Sequence, residues 1–258
     1  MIYRPDGDGL IAIGQPAHAW ISGQLAQAWG SQAFGPVEPA GEAVLAAAQH
    51  DLGMAAFDAE PRVVAPGGPP MGFLEIPVAD HLRLWIAAPR LALPQGRYLA
   101  LLVSLHGTYL YGFRDVEAEP RITQQAIRAY LADQERFRAG LVDSLAADPA
   151  WAPHVAPDAL DRAQRLLAAW DAMSLALCTG APRWRVPNVP RADGSAGDVL
   201  VTRTEGGAAV DPWPFAADGV TVRCDGRRIG AAFADDEALR DALDAAPWVT
   251  LAFALTAP

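Results

Sequence analysis

The stretch Tyr98-Leu99-Ala100-Leu101-Leu102-Val103-Ser104-Leu105-His106 is apolar on nearly every side. A helix of that kind has no face to offer water, so it must be enclosed by other elements. It therefore predicts a central helix, ending near Gly107 or Gly112, and a fold built around it. The chain has the material for such a core: 258 residues, 52% of them hydrophobic and 19% charged. That composition is unlike a disordered chain.

The segments around this stretch read as helices with ordinary stop and start signals. From Pro16 to Trp29, His18, Ser22, Leu25 and Trp29 fall on one face, with Pro16 suited to the first turn and Gly30 to the end. A second helix is expected from about Gly41 to His50-Asp51, stopped by Gly53, and a third from about Pro77 to Leu93 with His81 near its start. Two more are expected over about 121–146 and 157–179. The later one places Gln164, Leu167, Asp171, Leu175 and Cys178 on one face, and Gly180 ends it. The loop before His81 holds Pro61, Pro66, Gly67, Gly68, Pro69 and Pro70, which suits either a lid or a passive connection.

The two ends of the chain have a different period. Residues 2–5 and 10–14 flank Asp6-Gly7-Asp8-Gly9, the pattern of a β-hairpin. Beyond Pro182 a Pro/Gly/Asp-rich connection extends to about residue 217. Val220–Arg223 and Arg228–Ala231 then flank a Cys-Asp-Gly-Arg turn, a short helix follows near 235–245, and Trp248 to Leu255 reads as a strand. The expectation is a mostly α protein: a helical bundle with its N-terminal hairpin over 1–182, and a linker with a small α+β region over 183–258. The C-terminal segment would form a small antiparallel sheet, with the hairpin as a candidate addition.

A formal charge of −10 argues against a nucleic-acid or anionic-membrane surface, since such surfaces concentrate Lys and Arg. No apolar run is long enough to cross a bilayer and the first residues lack a signal-peptide core, so cytoplasmic residence is expected. Cys178 and Cys224 follow no metal-binding spacing and read as reduced thiols.

Chemistry concentrates in a few polar residues on apolar helices. Of five histidines, His18, His50, His81 and His106 lie within the first 110 residues, and only His154 falls in a loop. His106 and Asp171 sit among core residues, where an unpartnered carboxylate would be costly to bury. A metal ion answers for several such residues together. Imidazole supplies a neutral nitrogen, and the adjacent Asp51 offers two oxygens that can bind or bridge.

The order His18, His50-Asp51, His81, His106, Asp171 resembles the HD-domain superfamily, in which an early His, a His-Asp doublet and a late Asp bind metal in an all-helical fold. His81 and His106 match the two extra histidines of its dinuclear members. Gln15-Pro16-Ala17-His18, Gln49-His50-Asp51-Leu52-Gly53, Ser104-Leu105-His106-Gly107 and Trp170-Asp171-Ala172-Met173-Ser174-Leu175 also look like a bacterial domain family of unknown function. The resemblance covers about residues 16–180. It implies an HD-like helical bundle and two divalent or transition-metal ions, with iron, manganese, zinc and magnesium all compatible. His18, His50, Asp51 and Asp171 would hold one ion, and Asp51, His81 and His106 the other.

Two ions sharing a water would generate hydroxide near neutral pH. The implied reaction is hydrolysis of a small phosphorylated substrate, a phosphate ester or a nucleotide. Asp58 is a candidate proton carrier, and Tyr109 or Tyr111 a candidate for steering substrate, with Arg83 and Arg114 as weaker phosphate contacts. The same ligands suit a mixed-valent di-iron oxygenase, and a metal-containing sensor without turnover would satisfy the same burial argument.

Overall fold

A computed structural model describes residues 1–258. The chain opens with the hairpin β1 (Ile2–Asp6) and β2 (Gly9–Ile13), turning at Gly7, and enters α1 (Gln15–Ala28). Next come α2 (Ala40–Gln49), a 3-10 turn at Leu52–Met54, the single turn α3 (Ala55–Asp58), α4 (Val78–Ala92), α5 (Arg97–Tyr111), α6 (Arg121–Ala146) and α7 (Pro157–Thr179). The remainder is β3 (Arg183–Pro190), β4 (Ala196–Thr204), β5 (Gly207–Asp211), β6 (Gly219–Ile229), α8 (Asp236–Ala245) and β7 (Trp248–Thr256).

As its pattern demands, α5 is central: Tyr98 through Ser104 are buried, and it packs against α2, α4, α6 and α7. The helix bounds expected from periodicity and stop signals agree with the structure within a few residues, and α6 and α7 agree at both ends.

The sheet overturns the expected fold class. Half of the chain is helical and 22% is strand, in one curled mixed sheet of seven strands, so this is not a mostly α HD-like bundle with a small accessory sheet. The strand order is β1-β2-β6-β7-β5-β4-β3, antiparallel except where β5 runs parallel to β7. Two local features explain the difference. In the expected linker, Val199, Val201, Ala208 and Val210 alternate with more exposed neighbours and point into the core. Pro182, Pro190 and Gly206 mark the ends of these strands, while Pro187 sits inside β3 at its bulge.

The second feature is Cys224-Asp225-Gly226-Arg227, expected as a turn between two short strands. It instead runs straight through the middle of β6, in unbroken register with β7. Gly226 is there because of closeness: a Cβ on it would stand 2.6 Å from Ile11 Cγ2 and 3.0 Å from the Ala12 carbonyl oxygen.

The helices α1 and α7 pack on each other and on the sheet, α1 against β6 and α7 against β1, β3 and β4. A single cluster of 51 buried residues joins the helical layer to the sheet, so the two parts share one core. No helix is long and apolar enough to cross a membrane.

Candidate metal centre

Four helices deliver the centre. His18 projects from the first turns of α1, His50 and Asp51 stand at the C-terminal end of α2, and Asp171 comes from the buried face of α7. His106 reaches in from α5. These five residues are between 0% and 8% exposed, the carboxylates being the most open. They form two groups, His18–His50–Asp51 and His50–His106–Asp171, in each of which one ligand atom per residue lies within 4.8 Å of the others.

Small residues let the helices come this close. A Cβ on Gly23 would meet Ala48 Cβ at 2.7 Å, so α1 and α2 touch almost backbone to backbone. Gly53 does the same against Ala88 of α4, and Gly107 against the Trp85 ring.

Hydrogen bonds set the tautomers. His50 Nδ1–H donates to the Ala47 carbonyl at 2.9 Å, and a carbonyl can only accept, so the lone pair of neutral His50 is on Nε2. That atom is buried without a partner, 3.4 Å from Asp171 Oδ1 and 3.6 Å from Asp51 Oδ2. Ser174 Oγ donates to the Asp171 carbonyl and accepts from His18 Nδ1–H at 2.8 Å, which turns His18 Nε2 toward Asp51 Oδ2, 2.6 Å away. Ser22 adds a hydrogen bond to Ser174 Oγ at 3.0 Å. His106 has no partner on either ring nitrogen, and its Nε2 faces Asp171 Oδ2 at 3.6 Å.

Electron pairs of His18, His50 and two carboxylates therefore point at common space beside His106 Nε2, and such groups repel unless a cation lies between them. Without one, a proton takes part of that place. Burial opposes charge on His50, but Asp51 and Asp171 outweigh it and push its pKa up to about 9. Burial likewise opposes ionisation of Asp51 and Asp171, and the histidines hold both below the usual carboxylate range. The donor set fits a borderline divalent ion.

Other expected residues are placed elsewhere. His81 lies outside both groups: its Nε2 accepts from Trp85 Nε1–H at 3.0 Å and its Nδ1–H donates to Tyr111 Oη at 2.7 Å. Asp58 accepts from the amino group of Met1 and from the Gln15 amide, tying β1 to the start of α1. Tyr109 is half-buried and near enough to Asp171 for that charge to raise its pKa, after burial itself. Its ring meets Phe113 edge-on at 4.9 Å, and its hydroxyl donates to no atom of the chain. Arg83 pairs with Asp80 and Arg114 with Glu119, while His154 packs against Trp151. Ser22 and Ser174, which orient His18, were not singled out as functional from the sequence. Their spacing held the signal, four residues after His18 and three after Asp171.

Fold and centre together define an α+β protein with a buried His/Asp cluster suited to a metal ion. The chain belongs to the family described as "Protein of unknown function (DUF3891)", whose profile matches residues 1–231 and so ends just after β6. No curated protein and no solved structure matches it.

Proposed function

We propose that this protein is a metal-dependent hydrolase of small phosphorylated compounds, with one ion held by His18, His50, Asp51, His106 and Asp171. The observation that carries the reading is His50. Its Nδ1–H is committed to the Ala47 carbonyl, and its buried Nε2 has no partner except the two carboxylates it faces. One ion fits better than two, because the two ligand groups share that single nitrogen and an imidazole lone pair serves one ion. A second ion on His81 Nε2 would displace the Trp85 N–H from that nitrogen, with Nδ1–H staying on Tyr111. The same displacement weighs against the di-iron oxygenase.

The order of His18, His50-Asp51 and Asp171 is that of HD-type phosphohydrolases, and this likeness in ligand order selects the phosphoester substrate class. A divalent ion in such a site supplies Lewis acidity and a bound water of lowered pKa. The chain supplies the rest. Ser174 fixes the His18 ring and Ala47 fixes the His50 ring, so ligands are oriented before anything binds. Access is from the carboxylate side, the most open part of the cluster. There the free hydroxyl of Tyr109 can donate to a substrate oxygen.

The test is to purify the protein from medium without added metal, measure its metal content, and assay phosphate release from a panel of phosphomonoesters and nucleotides. One ion per chain and turnover that chelation abolishes are expected. His50→Ala and Asp171→Asn should lose the ion and lower turnover by at least about 100-fold, more than loss of an outer-shell partner does. An intact protein that binds one ion but releases phosphate from no compound would sink the hydrolase and leave the ion a structural or sensing role.

A further inference from the structure

Along α7, on the N-terminal side of Asp171, lies a cavity of 520 Å³, between the α1–α2 loop, α2, α5, α7 and the β3–β4 turn. We propose that it is a binding site for a small apolar monocarboxylate, separate from the metal centre. Its volume lies within the usual range of small-molecule pockets.

Three observations define the ligand. Ala43, Leu102, Leu166 and Leu167 wall the cavity, so the body of the ligand is apolar. Trp170 also lines it and adds an aromatic wall to the aliphatic one. The third observation is the rim, which carries the guanidinium groups of Arg162 and Arg191.

Neither guanidinium is paired with a carboxylate of the chain. Arg162 donates to the carbonyls of Phe34 at 2.7 Å and Arg191 at 3.0 Å, and the Arg191 side chain lies over the Phe34 ring. The carboxylate of Asp193, on the same turn, is taken up by the amide and hydroxyl of Ser195. Glu38 is the one acidic residue lining the rim, and Asp193 beside Arg191 keeps its charge while bonded to Ser195, so the two guanidiniums carry little net excess of charge. So small an excess suits a singly charged carboxylate better than a phosphate dianion. Gly35 has φ of +70°, and a Cβ on it would stand 3.3 Å from Ala192 Cβ, so the loop and the turn close the cavity tightly at this corner.

The test is calorimetric titration of the full chain with octanoate and 1-naphthoate, beside octanol and 1-naphthalenemethanol as neutral analogues. One saturable site for a carboxylate is expected, with the neutral analogue at least tenfold weaker. Arg191→Met removes a charge but no hydrogen bond, and should weaken carboxylate binding tenfold while metal content and thermal midpoint stay unchanged. Ala163→Phe, which fills the cavity from α7, should abolish binding in a variant that still unfolds cooperatively. Failure of the folded wild type to bind either carboxylate overturns the proposal. So does equal affinity for the neutral analogues, or undiminished binding by folded Ala163→Phe.

Discussion

His50 shows how a single carbonyl can decide the use of a side chain. Once Ala47 holds Nδ1–H, the other nitrogen faces Asp51 and Asp171 with either a lone pair or a proton. In the metal-free protein it keeps the proton, with a pKa of about 9, whereas burial holds His81 and His106 down at about 4. An unfolded histidine titrates at about 6.5. From pH 6.5 down to 4 the unfolded chain binds the additional protons on His81 and His106, so stability falls with falling pH. From 6.5 up to 9 the folded chain holds the additional proton on His50, so stability falls with rising pH. Thermal midpoints measured in chelator should therefore peak near pH 6.5, and added metal should remove the alkaline limb by replacing the proton. A midpoint that stays level from pH 6.5 to 9 in chelator would show that His50 is not held this way. At this scale the sequence was informative, because His and Asp on otherwise apolar helix faces are conspicuous. It did not show that His81 would meet Tyr111, since that depends on how α4 is rotated against α5, although the i, i+4 spacing of His81 and Trp85 was open to reading.

Between elements, the distance from α1 to α2 is set by Gly23 and Ala48. A methyl group on Gly23 would overlap Ala48 Cβ at 2.7 Å and approach its backbone nitrogen at 3.3 Å, so one helix must move. Gly23→Ala should destabilise the protein by about 1–3 kcal/mol, as overpacking does, and weaken metal binding by separating His18 from Asp51. Denaturant unfolding and metal titration report the two effects; a variant of unchanged stability and affinity would contradict the close contact. Helices were legible because amphipathic periodicity, Pro starts and Gly stops are local signals. The strands β3 to β5 were not, since their turns supply Pro and Gly while the alternation that marks a strand is short. Gly226 misled for a related reason: a glycine selected for a close approach and one selected for a turn look alike in sequence.

Across the whole molecule, the sheet joins the two ends of the chain. The hairpin β1–β2 pairs through Leu10–Ala12 with Arg227–Ile229 of β6, and α1 packs against β6. Residues 1–182 contain every ligand, but that fragment lacks β6 and the other strands that complete the core. Expressed alone, it should fail to give a cooperative unfolding transition, and co-expression with 183–258 should restore one. A fragment that folds and binds metal unaided would show that the helical layer is self-sufficient.

The pairing of β2 with β6 also has a consequence for synthesis. The last ligand, Asp171, leaves the ribosome well before residues 219–229, so the nascent chain carries a full complement of ligands on helices whose covering strand does not yet exist. Contacts this distant in sequence form late and slowly. An ion at this cluster would thus be captured only at the end of translation, when β6 arrives to close the sheet over α1.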